Sequence, residues 1–327
     1  VDQHPIVITH KTSEARRALY KNIFGRDARL SFLADMPSGL RQQTLIEAEV
    51  LLSWNLSRDL GQSELGLLKN ARLIQLLTAG ADSVPYAGLR EDIIIACNAG
   101  AYAEPMAEHV LAMTLGLAKN LLREHQNLAR GEFNQAKLNR VLRGAACGIL
   151  GFGGIGKASA RLMRGLGMRI LAVNTGGRTE EPVEFIGTLA DLRRVLSSSD
   201  VVVVALPLTR ATRGLIGGRE LGWMKPDAIL INVARGEIID EAALHAHLAG
   251  NPEFKAGIDA WWVEPFTHGE FRTRFPFLAM PNVLGSPHNS AMAPGVSDEG
   301  ARRAAENVKQ YLAGGRLTGV VRREDYL

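Results

Sequence analysis

Gly151-Phe152-Gly153-Gly154-Ile155-Gly156 follows directly on the apolar run Ala146–Leu150. Residues 157–166 then read as a helix and 168–173 as a second strand. A strand that runs through G-x-G-x-x-G into a helix forms a cradle for a dinucleotide. The first glycine permits the tight turn, the second lets the backbone approach a pyrophosphate, and the third lets the helix pack closely on the strand. The helix N-terminus then faces the phosphates. Glycine-rich turns also arise without a ligand, but here the segments on both sides suit the cradle. Gly151, Gly153, Gly154, Ile155 and Gly156 are therefore expected cofactor contacts. Asn174 ends the second expected strand, where such folds place the residue that reads the adenosine ribose, and Thr175-Gly176-Gly177-Arg178 follow it.

At 327 residues the chain is too long for one ordinary core and suits two domains. Apolar residues make up 46% and charged residues 22%, the balance of a soluble globular protein. No apolar run reaches bilayer length, so no membrane partner is expected. No secretory signal pattern opens the chain, which begins on Val1, so a start residue is expected upstream. Cys97 and Cys147 are the only cysteines, which points to a reducing, cytoplasmic compartment without a disulfide framework. The net charge of +4 is dispersed, which argues against nucleic acid but tolerates a phosphorylated ligand. His245 and His247 stand two apart on an expected helix and share no face, and no thiolate or carboxylate cluster joins them or His268; no metal is expected.

Two α/β series run along the chain. The first has expected strands at 5–9, 29–33, 48–54, 72–78 and 93–96, implying a small, largely parallel sheet. A single long helix is expected over 105–128, with Pro105 in its first turn. The second series has expected strands at 147–150, 169–173, 201–205, 228–233, 255–259 and 282–284, nearly continuous in Val, Ile and Leu, as strands buried on both faces are. The Ala-rich stretch 294–312 reads as a helix with no place in that second sheet, and is expected to return to the first.

Four further motifs each fall at the carboxyl end of an expected strand. They are Leu206-Pro207-Leu208-Thr209, Asn232-Val233-Ala234-Arg235-Gly236, the run Asp259-Ala260-Trp261-Trp262-Val263-Glu264-Pro265, and Ser286-Pro287-His288-Asn289-Ser290. Ligands bind at that edge of open α/β sheets, so Arg235, Glu264 and His288 are expected to converge on one crevice.

In this ordered combination the chain resembles the D-2-hydroxyacid dehydrogenase family, over essentially its whole length, including Leu77-Thr78-Ala79-Gly80-Ala81 and Asn98…Ala107-Glu108-His109. The resemblance implies two Rossmann-like α/β domains. A doubly wound cofactor domain, residues 99–290, is inserted into a discontinuous flavodoxin-like substrate domain, residues 1–98 and 291–327. It also implies a homodimer and the interconversion of a small 2-keto acid and 2-hydroxy acid, with glyoxylate or hydroxypyruvate reduction as the leading case. His288 would be the acid–base group, since histidine titrates in the physiological range. Glu264 would sit behind the imidazole and favour its charged form. Arg235 would bind the substrate carboxylate and polarise the keto oxygen. Ala79 and Gly80 resemble the loop whose N–H groups hold that carboxylate, and Trp54 is placed to face the crevice. Pro207, Thr209, Val233 and Ala234 would line the cofactor. Asp259 is either a bond to the nicotinamide carboxamide or a cap at the strand end.

The chain departs from the family pattern at Asn174, where NAD-using relatives carry an acid that would repel a 2′-phosphate. With Thr175 and Arg178 beside it, NADP(H) is expected over NAD(H). Trp261-Trp262 are more aromatic than usual, and residues 266–280 look longer than usual, fit to cover the site or to reach a neighbouring subunit. The alternatives are NAD-linked oxidation of phosphoglycerate or another D-2-hydroxy acid, and a dinucleotide-sensing corepressor without turnover. Formate or phosphite oxidation is disfavoured by Glu264, a partner that the formate enzymes lack.

Overall fold

The computed structural model describes residues 3–327; Val1, on which the expectation about the chain start rests, lies outside them. The chain divides into two compact units, Val1–Tyr102 with Ala293–Leu327, and Ala103–Met292. Each is built on an all-parallel sheet.

The first unit holds β1 (His4–Ile8), β2 (Ala28–Phe32), β3 (Val50–Ser53), β4 (Leu73–Leu76) and β5 (Ile94–Ala96) in the order β2-β1-β3-β4-β5, the flavodoxin-like arrangement. The five expected strands are these five. β3 and β4 are buried at every position, as central strands covered on both faces must be. Ser13 caps the helix Glu14–Phe24 by accepting from the Arg16 N–H at 3.3 Å. The C-terminal helix Val296–Leu312 packs against β3 and β4 through Ala301, Ala304, Ala305 and Val308, whose spacing makes one apolar stripe. The chain then runs along β5, where the Cys97 N–H donates to Gly319 O and the Val321 N–H to Ile95 O, both at 2.8 Å.

The second unit holds β6 (Ala146–Leu150), β7 (Arg169–Val173), β8 (Phe185–Gly187), β9 (Val201–Val204), β10 (Ile229–Asn232), β11 (Lys255–Ile258) and β12 (Val283–Gly285), ordered β12-β11-β10-β9-β6-β7-β8. Strand order reverses between β6 and β9, which places a ligand crevice beyond their carboxyl ends. The sequence pattern predicts six strands; the seventh, β8, is a three-residue edge strand on β7, too short to carry a periodic signal.

The expected helix over 105–128 is two helices, Ala103–Ala118 and Leu121–Ala129. Asn120 breaks it by adopting the left-handed conformation, φ +54°, which asparagine tolerates better than most side chains. Lys255 Nζ then donates to Leu117 O at 2.9 Å and Asn120 Oδ1 at 2.7 Å, closing the end of the first helix. Residues 266–280 are tied to this unit at two points, while Phe266, Phe271 and Leu278 of the same segment stay exposed. Arg272 bridges to Val263, and Phe277 is fully buried, stacked on Trp262 with ring centroids 5.3 Å apart. His245 and His247 pack on Phe275 and Phe254. No described helix is long and apolar enough to cross a membrane.

Candidate active site

The glycine motif joins β6 to the helix Gly154–Gly165. Gly151 has φ +96°, and a Cβ there would stand 2.5 Å from Ala205 O, so only glycine fits the turn. A Cβ at Gly156 would stand 2.2 Å from Gly151 O, which is the close helix–strand contact expected of the third glycine. Gly153 is different: a Cβ there meets no protein atom within 4 Å, and no side chain caps the helix that begins beside it. An uncapped helix N-terminus bordering open space, reached by bare backbone, suits a pyrophosphate. Ile155 packs its side chain with Ala103, Ala107 and Ala158, so its backbone is what it can offer a ligand.

Asn174 does something the sequence did not suggest. Its Oδ1 accepts from the Gly176 N–H at 3.1 Å and its Nδ2 donates to Arg178 O at 2.9 Å. The amide thus folds the 174–178 turn, and Thr175 and Arg178 stand exposed on it. Pro207 and Thr209 lie on the loop after β9, which Thr212 ties together by donating to Pro207 O at 2.6 Å and accepting from the Thr209 N–H at 2.8 Å. Val233 and Ala234 are buried at the end of β10.

Glu264 and His288 meet. His288 Nδ1 lies 2.7 Å from Glu264 Oε2, while Glu264 Oε1 accepts from the Trp261 N–H at 2.6 Å. A carboxylate only accepts, so the Nδ1 proton points at Glu264 and Nε2 is left for a ligand. The imidazole keeps 31% of its side-chain surface exposed against 14% for the carboxylate behind it. His288 and Asn120 are the non-glycine residues with positive φ among the described residues, His288 at +50°. That conformation costs about 1–2 kcal/mol, and persists because its surroundings fix it.

Asp259 supplies much of that fixing. Fully buried, it accepts from Ser286 Oγ at 2.6 Å, the Asn289 N–H at 3.2 Å and the Ser290 N–H at 3.3 Å. Of its two expected roles, the one these bonds display is the cap that gathers the loop after β12. Beside it, Ser290 Oγ is buried without a hydrogen-bond partner, a polar atom that a carboxamide would satisfy. His109, Ser286, Ser290 and Trp261 are quoted in the motifs above without a role; their contacts come from elements remote in sequence.

Arg235 follows β10 in a turn held by Asn232, whose Oδ1 accepts from the Ala234 N–H at 3.1 Å and whose Nδ2 donates to Arg235 O at 2.9 Å. Its own Nη1 donates to Ala234 O at 2.8 Å. A Cβ at Gly236 would stand 2.4 Å from the Trp261 carbonyl carbon, so this turn packs directly on the Trp261–Trp262 peptide. The structure brings Glu264 and His288 into direct contact, and the residue after Arg235 packs on Trp261, whose N–H holds Glu264.

Trp54, Ala79 and Gly80 belong to the first unit. Gly80 O accepts from Thr78 Oγ1 at 2.8 Å. Trp54 is met edge-on by His10, centroids 6.5 Å apart. Burial, opposed by Asp59, pushes the His10 imidazole down to about 4, and neither ring nitrogen has a partner. No motif or spacing marks His10 in the sequence.

The family model for "D-isomer specific 2-hydroxyacid dehydrogenase, NAD binding domain" matches residues 111–290, more than half of the chain. The chain belongs to this family. Hydroxypyruvate reductase of Thermotoga maritima is 32% identical over 226 residues, 68% of this chain and 72% of that protein. Glyoxylate reductase of Thermococcus gammatolerans is 31% identical over 252 residues, 74% of each. A solved structure of a D-isomer specific 2-hydroxyacid dehydrogenase from Xanthobacter autotrophicus Py2, in complex with NADPH and MES, superposes with TM-score 0.80 at 25% identity and covers both chains fully. This D-2-hydroxyacid dehydrogenase is an oxidoreductase that works with a nicotinamide dinucleotide.

Proposed function

We propose that the chain reduces a small 2-keto acid, such as glyoxylate or hydroxypyruvate, to its 2-hydroxy acid, with His288 as the acid–base group and NADP(H) as the preferred dinucleotide. The observation that carries this reading is the 2.7 Å contact of His288 Nδ1 with Glu264, itself held by Trp261.

The cradle Gly151–Gly156 with the 174–178 turn would hold the phosphates and ribose, and Asp259 with Ser290 the carboxamide end. When bound, the dinucleotide supplies or receives the hydride. His288 carries its second proton on Nε2, the atom turned away from Glu264, and gives that proton to the oxygen that becomes the alcohol. In oxidation the same Nε2 starts without a proton and takes one. Glu264 keeps the ring in the orientation that leaves Nε2 free, whichever charge the ring carries. Arg235 binds the substrate carboxylate through its planar fork, and Ala79 and Gly80, with Trp54, are the proposed substrate contacts of the first unit.

The NADP(H) preference rests on the 174–178 turn. No carboxylate stands there to repel a 2′-phosphate, and Arg178 is exposed beside Thr175. The test follows the absorbance of NADPH and NADH with a panel of 2-keto acids, in wild type, Asn174→Asp and Arg178→Ala. Wild type should turn over and favour NADPH. Each substitution should move the ratio of kcat/KM toward NADH by about tenfold or more, the worth of one charge-assisted contact. A wild type that prefers NADH overturns the cofactor reading; binding without turnover on any keto acid overturns the enzyme reading in favour of a sensor.

The reading includes a homodimer in a cytoplasmic, reducing compartment. Leu121, Leu128, Phe133, Leu138 and Val141 are exposed in one stretch, Leu138 at 89%. Such a run is larger than scattered surface apolar residues, and a second copy would cover it. Cys97 and Cys147 are unpaired. Sedimentation should give a species of about twice 35.5 kDa; a monomer at micromolar concentration would refute the dimer.

A further inference from the structure

Ser286 stands two residues before His288 and is held at every polar atom. Its N–H donates to Ile258 O at 2.9 Å, and its carbonyl accepts from Trp261 Nε1 at 2.8 Å. Its hydroxyl lies 2.6 Å from Asp259 Oδ1 and 2.9 Å from His109 Nε2. An ionised Asp259 only accepts, so the hydroxyl donates to it and its oxygen accepts from His109, which fixes a proton on His109 Nε2. His109 arrives from the helix Ala103–Ala118, 177 residues away in sequence, and its Nε2 is also 3.6 Å from Asp259. Trp261 acts twice: its main-chain N–H holds Glu264 at 2.6 Å while its indole N–H holds Ser286. One residue therefore registers both halves of the His288–Glu264 pair against each other.

We propose that His109 and Trp261 are positioning residues, which through Ser286 hold the His288 turn in its left-handed conformation and so keep Nδ1 on Glu264 and Nε2 turned outward. The proposal rests on the reading of His288 as the acid–base group. It explains why a tryptophan serves at position 261. A phenylalanine would still pack against Phe271, whose centroid lies 5.4 Å away, and would keep the main-chain bond to Glu264, but it carries no N–H for Ser286.

The experiment uses Trp261→Phe and His109→Leu in the full chain, with His109→Gln as the variant that keeps a donor. We expect kcat to fall about tenfold in the first two, with the Kd of NADPH unchanged, and His109→Gln to recover most of the loss. In a His288→Ala background the same substitutions should change the residual turnover less than about twofold, because nothing remains to be positioned. A second readout needs no substrate: the His288 Nδ1 proton, bonded to Glu264, should give a downfield proton resonance that weakens in Trp261→Phe and His109→Leu and returns in His109→Gln. Unchanged kcat and an unchanged resonance in both variants would overturn the proposal, as would an equal fall in the His288→Ala background. If His288→Ala itself turned over like wild type, the acid–base reading would fail while the resonance still decided the positioning role.

Discussion

His288→Ala should lower the turnover of keto-acid reduction by about a hundredfold or more while leaving dinucleotide affinity nearly unchanged. A positioned general acid contributes about 10²–10⁴-fold, and alanine leaves neither proton nor ring at the position of Nε2. The dinucleotide would be held chiefly by the glycine cradle and the 174–178 turn, neither of which touches the imidazole. Stopped-flow turnover with a fluorescence titration of NADPH separates the two quantities. Unaltered turnover would remove His288 from the mechanism. Glu264→Gln should be milder. The amide still accepts at Nδ1 through its oxygen, but it no longer offers a charge 2.7 Å from the ring.

Gly153→Ala and Gly151→Ala should fail in opposite ways. At Gly153 an added methyl meets no protein atom within 4 Å, so urea unfolding should shift by no more than about 0.5 kcal/mol. The open space it enters is where the pyrophosphate is proposed to lie, so NADPH affinity should fall at least tenfold, about 1.4 kcal/mol. At Gly151 the methyl would stand 2.5 Å from Ala205 O on a backbone with φ +96°. Left-handed strain and overpacking together should cost about 2–5 kcal/mol of stability, with affinity lost as a consequence. A Gly153→Ala protein that is stable and binds NADPH like wild type would show that the cradle does not hold the dinucleotide there.

Much of this was legible in the sequence because the signals were long or chemically rare. Five strands of one unit and six of the other announced themselves as apolar runs. Arg235, Glu264 and His288 stood out because each ends a strand in a motif with few structural explanations. What stayed hidden depended on contacts remote in sequence or on single backbone torsions. The helix pattern runs smoothly through Asn120, and only its left-handed torsion reveals the break. β8 is three residues long and needs β7 beside it. The bonds of the Asn174 amide to Gly176 and Arg178, which shape the turn, stayed hidden because a local turn of this kind leaves no periodic trace. His109 and Ser286 are 177 residues apart, and no spacing rule joins them. Phe277 anchors the segment 266–280 in the core of its own unit, a contact with Trp262 that no local pattern announces.

The most direct test of the account is the pH dependence of kcat in both directions, measured on wild type and His288→Ala. Reduction needs a proton on His288 Nε2 and oxidation needs that atom bare, so reduction should fade as pH rises and oxidation as pH falls. In His288→Ala the small residual turnover should lose both limbs, because no imidazole is left to carry the proton. Opposed limbs that disappear with the imidazole are the predicted result. Limbs that run in the same direction, or that persist unchanged in His288→Ala, would contradict His288 as the acid–base group.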